Sequence, residues 1–224
     1  SNLTNRQWLL RARPTGMFSA NQFELAETSV PTLKSGQILG KVLFLSFDPT
    51  QRAWMSMDTY IPAVELGDPM RAGGIAQVIE SRHSKYKPGD LVNSFCGWQE
   101  YVVFEPDNVE FVPVTRIPGH LDPALVLALS LTGLTAYFGL LDVGRPKKGE
   151  TVLVSGAAGA TGSVAGQIAK IKGCRVVGIA GGKHKCEWLL KKGKFDAAID
   201  YKTEDINDRL RELCPRGIDV YFDN

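Results

Sequence analysis

Cysteine is scarce in this chain. Cys96, Cys174, Cys186 and Cys214 are its only four in 224 residues, and no two stand at a paired spacing. That argues against a disulfide framework or a zinc ribbon, and scattered thiols of this kind suit a reducing, cytoplasmic setting. An excess of one charge is lacking too. The 26 basic and 24 acidic side chains leave a net charge of +2, with no long run of Lys or Arg, so nothing favours nucleic acid or an anionic membrane as a partner. Long apolar runs are absent: none approaches the roughly 20 residues of a bilayer-spanning helix, and the N-terminus lacks a signal-peptide layout. What remains is an ordinary globular composition in a chain long enough for one large domain or two modest ones.

The two halves follow different patterns. Up to about Pro118 the chain offers short apolar or alternating runs: RQWLLRAR (Arg6–Arg13), ILGKVLFLSFD (Ile38–Asp48), GIAQVIES (Gly74–Ser81), DLVNSF (Asp90–Phe95) and EYVVFEP (Glu100–Pro106). Turn residues such as KPGD (Lys87–Asp90) separate them, which predicts a small β-rich barrel or sandwich. After Asp122 the run DPALVLALSLTGLTAYFGLLDVG has helical clusters, with an Asp-Pro start and Gly144 as a stop. Strands and helices then alternate: TVLVSG, SVAGQIAKIKG, RVVGIAG, KCEWLLKKG, AAID, INDRLREL and finally DVYFDN. Such alternation predicts a parallel, doubly wound α/β sheet. We therefore expect a β-rich domain over residues 1–120 and a nucleotide-binding domain over 121–224, the latter holding only the first half of a dinucleotide fold.

One loop carries the nucleotide reading. In TVLVSGAAGATG (Thr151–Gly162), Gly156, Gly159 and Gly162 follow a strand and open a helix, and Ala157 takes the first glycine position of the G-x-G-x-x-G fingerprint. Gly159 would let the backbone approach a pyrophosphate, Gly162 would allow close helix–sheet packing, Ala160 and Thr161 complete the loop, and Ser163 is expected to cap the helix. The acid that binds an adenosine ribose in this fold lies about 20 residues farther on. That count lands on Gly182, in VVGIAGGKHK, where two glycines and two lysines replace the acid. A missing carboxylate with Lys183 and Lys185 beside it favours the 2′-phosphate of NADP over the free hydroxyl of NAD. Tyr201, just past the third strand of this half, is placed to lie against the adenosine end.

The run from Gly133 to Gly182, with FLSFDPTQRAWM (Phe44–Met55), GDPMRAGGIAQVIESRH (Gly67–His83) and GWQEYVV (Gly97–Val103), resembles the medium-chain dehydrogenase/reductase superfamily. Within it the zinc-independent leukotriene B4 dehydrogenase/prostaglandin reductase group is the most similar. The resemblance implies a GroES-like catalytic barrel followed by a Rossmann domain, here truncated. It aligns Lys185 with a lysine on the 2′-phosphate, Tyr201 with an adenosine-side tyrosine and Asn224 with a cofactor-contacting asparagine. One residue is inserted within KKGKFD between Lys185 and Tyr201. Zinc-dependent members carry Gly-His-Glu where this chain reads MRAGG, so no metal is expected.

The implied activity is NADPH-dependent reduction of the carbon–carbon double bond of α,β-unsaturated ketones and aldehydes, by a homodimer in the complete protein. Tyr60, in the loop SMDTYIP, and Arg52, in DPTQR, are the candidate catalytic side chains, and Thr135 is a candidate contact at the nicotinamide end. In relatives Tyr-Met often fills the middle of DPTQR, where Thr50-Gln51 stand here. Quinone reduction on the same fold, and a non-catalytic nucleotide-binding module, are the alternatives.

Overall fold

The computed structural model describes residues 3–109 and 111–224, and the chain divides into two compact units, 1–127 and 128–224. In the first unit all strand pairing is antiparallel. Strands β1 (Thr4–Leu10) and β2 (Phe23–Ser29) form a ribbon. Strands β3 (Ile38–Leu45), β4 (Gly73–Ser81), β5 (Leu91–Phe95), β6 (Tyr101–Phe104) and β7 (Thr115–Arg116) form a sheet in the order β6-β3-β4-β5-β7. Isolated bridges from Gln7 to Gln99 and from Leu9 to Pro69 tie the ribbon to the segments that lead into β6 and β4. Between β3 and β4 the register slips after Leu39 and again after Val42, irregularities that bend a strand and let a sheet curl.

Strand β2 was not among the strands expected from sequence. Its residues FELAETS are mostly exposed, so burial imposes no apolar alternation on them. A short helix, α1 (Thr50–Trp54), follows β3 and buries Trp54 with Leu10, Met55, Ile61, Val64 and Met70.

The helical stretch expected over 122–144 is three pieces. Helix α2 (Pro123–Ala128) gives Leu127 to a cluster with Ile75 and Ile117, and helix α3 (Leu131–Phe138) follows. Between them Ser130 leaves the helical basin at ψ −102°. After α3 the chain widens into a π-helical turn, Gly139–Gly144, which ends at Arg145 in a left-handed conformation, φ 49°.

The second unit then builds four parallel strands, β8 (Thr151–Val154), β9 (Arg175–Ala180), β10 (Ala197–Asp200) and β11 (Val220–Phe222), in the order β10-β9-β8-β11. Side chains alternate across such a sheet. Val152, Val154 and Val176 enter one core with Ala169 of α4 (Ala160–Ile171) and Leu189 of α5 (Lys183–Lys191). Leu153, Val177 and Ile199 enter another, against Leu210 and Leu213 of α6 (Ile206–Leu213). Both faces are covered, as a doubly wound sheet requires. Phe195 fills the space beside Gly166 of α4, where a Cβ would stand 1.9 Å from the ring's Cζ.

Candidate functional site

Parallel strands joined by helices deliver every strand-to-helix loop to one edge of the sheet. Here that edge collects Ser155–Gly162 after β8, Gly181–Gly182 after β9, Tyr201 after β10 and Asp223–Asn224 after β11. Winding reverses between β8 and β11, the switch point where open α/β sheets hold ligands.

The β8 loop is tight. Ala157 is buried and its N–H donates to Ile179 O at 3.0 Å, while Gly159 N–H donates to Gly156 O at 2.8 Å. A Cβ at Gly162 would stand 2.5 Å from Gly156 O, so the turn closes only with glycine there. Helix α4 begins at Ala160 with Gly159 as its N-cap, and no side chain caps it. Ser163 was expected to be that cap. It lies one turn inside the helix instead, with its hydroxyl donating to Ala160 O at 3.2 Å, because the helix starts three residues earlier than the apolar pattern suggests. The opening N–H groups of α4, those of Ala160 and Thr161 among them, are thus left without a capping side chain. Ala160 is exposed and Thr161 buried.

The β9 loop mirrors this arrangement. Gly182, at φ 99°, is the N-cap of α5, again without a side-chain cap. Its N–H donates to Asp200 Oδ1 at 2.7 Å. That bond, helped by the N–H of Lys202 and the hydroxyl of Thr203, holds the Asp200 carboxyl below the usual aspartate range. Lys183, His184 and Lys185 are exposed on the first turn of α5. Tyr201 lays its ring against Gly181, where a Cβ would come within 2.7 Å of the phenol.

At the β11 end, Ser155 Oγ donates to Asp223 Oδ1 at 2.6 Å and accepts the N–H of Asn224 at 2.8 Å. Tyr221 OH donates to the same Asp223 oxygen at 2.8 Å. These two donors, Ser155 first, lower the Asp223 pKa, and the same bond raises that of Tyr221. A Cβ at Gly156 would stand 3.1 Å from both Nδ2 and the carbonyl oxygen of Asn224. Ser155, Asp200, Tyr221 and Asp223 were not singled out from sequence. The signal was present in VLV-S, AAI-D and VYF-D, three apolar strand triplets each followed by a hydroxyl or a carboxylate.

Thr135, on α3, spends its hydroxyl on Leu131 O at 2.7 Å. In the first unit, Arg52 bonds the hydroxyl of Ser56 and the carbonyls of Gly16, at 2.9 Å, and Pro14, at 3.4 Å. It therefore ties the 14–16 loop to α1. Tyr60 is 71% exposed, its ring edge-on to Trp54 at 6.3 Å. Gln51 is buried and donates to the carbonyls of Ser46 and Arg71. Arg71 donates to Pro62 O and lies over the rings of Trp54, Phe95 and Phe111. Pro62, Arg71, Phe95 and Phe111 border a hollow of about 580 Å³ that Cys96 also lines, and burial pushes the Cys96 thiol up to about 12, which keeps it neutral. A second hollow, of about 740 Å³, is walled by Trp8, Phe18, Phe23, Phe47 and Trp98. Among the described residues no three His, Cys, Asp or Glu side chains converge as a metal site.

Two family models match the chain. One, described as the N-terminal domain of oxidoreductase, covers residues 6–112, and the other, described as zinc-binding dehydrogenase, covers 160–224. The chain is 41% identical over 223 residues to an NADPH-dependent curcumin reductase of Escherichia coli (strain K12), matching 98% of itself and 63% of that protein. It is 41% identical over 221 residues to prostaglandin reductase 1 of Bos taurus, matching 98% and 65%. A crystal structure of CurA from Vibrio vulnificus in complex with NADPH superposes with a TM-score of 0.87 at 40% identity, over 98% of this chain and 64% of that one. The chain thus spans just under two thirds of the length of these relatives.

Proposed function

Because the chain belongs to the medium-chain dehydrogenase/reductase superfamily, we propose that its second unit binds NADPH and that the whole protein reduces the carbon–carbon double bond of α,β-unsaturated ketones and aldehydes. The observation that carries the cofactor choice is the acid-free turn Gly181–Lys185 at the end of β9. The residues fit the group. Helices α4 and α5 both start at uncapped glycines, and among the described residues nothing lies within 4 Å of where a Gly182 Cβ would be. Relatives named as NADPH-dependent, and one solved with NADPH, support the same choice.

In this reading the first turn of α4 holds the pyrophosphate through its free N–H groups. Lys183 and Lys185 hold the 2′-phosphate, and Tyr201 borders the adenosine. Bound NADPH supplies a hydride. That hydride would go to the β-carbon of an enone and a proton to its α-carbon, and the negative charge passing through the carbonyl oxygen would need a hydrogen-bond donor. Tyr60, with its exposed phenol, is the first unit's candidate for that donor, and Arg52 keeps the neighbouring loop in place. We read the reaction as metal-free, since MRAGG, without His, stands where zinc-dependent members carry Gly-His-Glu. The whole protein is read as a cytoplasmic homodimer acting on a small molecule, with neither nucleic acid nor membrane as partner. The near-neutral charge supports the former exclusion, and no helix among the described residues is long and apolar enough to cross a bilayer.

Parallel titrations with NADPH and NADH, followed by turnover on a panel of enals, aryl enones and quinones, test the proposal. Tighter binding of NADPH with turnover of enones supports it. Equal binding of both cofactors, or turnover of quinones alone, overturns it.

A further inference from the structure

Ser155 and Asp223 lie 68 positions apart in sequence and meet at the switch point of the sheet. The contact is reciprocal. Ser155 N–H donates to Phe222 O at 3.1 Å, extending the β8–β11 ladder by one rung. Its hydroxyl then does two things, donating to Asp223 Oδ1 and accepting the N–H of Asn224. Tyr221 braces the same carboxylate oxygen from the strand. Asn224 is thereby pressed against Gly156, whose carbonyl is the oxygen that receives Gly159 N–H and sits under Gly162.

We propose that Ser155 and Asp223 are positioning residues for the cofactor: they latch the end of β11 onto the glycine turn, so that Asn224 faces the dinucleotide beside the pyrophosphate. This rests on the NADPH reading. The latch lies on the β11 side of β8, whereas the Gly181–Lys185 turn lies on the β9 side. Its effect therefore falls on the part of the cofactor beyond the adenosine half.

The test uses the full-length protein and two probes, NADPH and adenosine 2′,5′-bisphosphate, with Ser155→Ala, Ser155→Thr and Asp223→Asn. Ser155→Ala removes both of the hydroxyl's hydrogen bonds, and losing partly solvated bonds of this kind weakens an interaction on the order of tenfold. The expected result is that loss for NADPH in S155A, recovery in S155T, which keeps the hydroxyl, and unchanged affinity for the bisphosphate. D223N keeps an acceptor oxygen for the Ser155 hydroxyl and should lose less than S155A. Equal loss for both probes would mean that the sheet edge has merely loosened, and unchanged NADPH affinity would mean that the latch is idle. Either overturns the proposal. If the unaltered protein binds neither probe, it is the NADPH reading itself that fails, and the latch proposal falls with it.

Discussion

Replacing Lys185 by alanine should weaken NADPH binding about tenfold and leave NADH binding unchanged. Lys185 is exposed on the first turn of α5, and the nearest acid along that helix, Glu187, is paired with Lys191 at 3.2 Å. Among the described residues neither Lys183 nor Lys185 has an ion-pair partner, so both are free for a ligand. Unit charges about 4 Å apart attract by about 1 kcal/mol in water and by more at a protein surface. A 2′-phosphate carries close to two charges, so one exposed lysine contributes roughly 1–2 kcal/mol, about a tenfold change in affinity. K183A/K185A should lose more than either single change if both lysines touch the phosphate. The assay is a fluorescence titration with both cofactors at low and at high salt. Salt should weaken NADPH binding to the unaltered protein more than to K185A, because exposed charges are screened. A parallel loss for NADH, or no loss in the double variant, would refute the reasoning.

Three further outcomes follow from the geometry. Gly166→Ala should destabilise the second unit by about 1–3 kcal/mol in urea unfolding, since its methyl would enter the Phe195 ring, and F195L in the same chain should recover part of that. Lys194, exposed and left-handed at φ 61°, should tolerate glycine with a gain of about 0.5 kcal/mol, and a lower melting temperature in K194G would contradict this. The Asp200 pKa is depressed by the Gly182 N–H, so its contribution is present above the normal aspartate range and is lost as pH falls through the depressed value. Hydrogen exchange at Gly182 should therefore stay slow as pH falls past that normal range and quicken only below it. D200N should remove this acid step, and its persistence in D200N would assign it to another group.

The parts of the fold that local pattern dictates were legible in the chain. Helix α6 occupies Ile206–Leu213 and strand β10 Ala197–Asp200, the spans given by apolar spacing and by the turn residues around them. Where the pattern misled, a non-local or conformational cause is visible. The residues of β2 are mostly exposed and so leave no alternation to read. The 122–144 run is apolar throughout and hides the break at Ser130. Apolar spacing begins α4 at Ser163, whereas glycine, alanine and threonine already form its first turn. At the candidate site the glycine loop and Gly181–Gly182 were read correctly as strand-to-helix turns, because glycine imposes the geometry locally, although α5 opens at Lys183, two residues before the start that the apolar pattern gives. The groups that hold those turns were not, since Asp200 is 18 positions from Gly182 and Asp223 is 68 from Ser155. Pairings of that range exist only once the strands are side by side.

The grip of Asp200 on Gly182 separates two tasks that a single acid performs when it ends its own strand. The anchor of the turn sits on β10, while the side chains that meet a ligand sit on the first turn of α5. Residues 183–185 can then be exchanged without loosening the turn that presents them. An evolving or engineered lineage could move between charged and uncharged ligands at this corner by changing an exposed tripeptide, with the sheet left untouched.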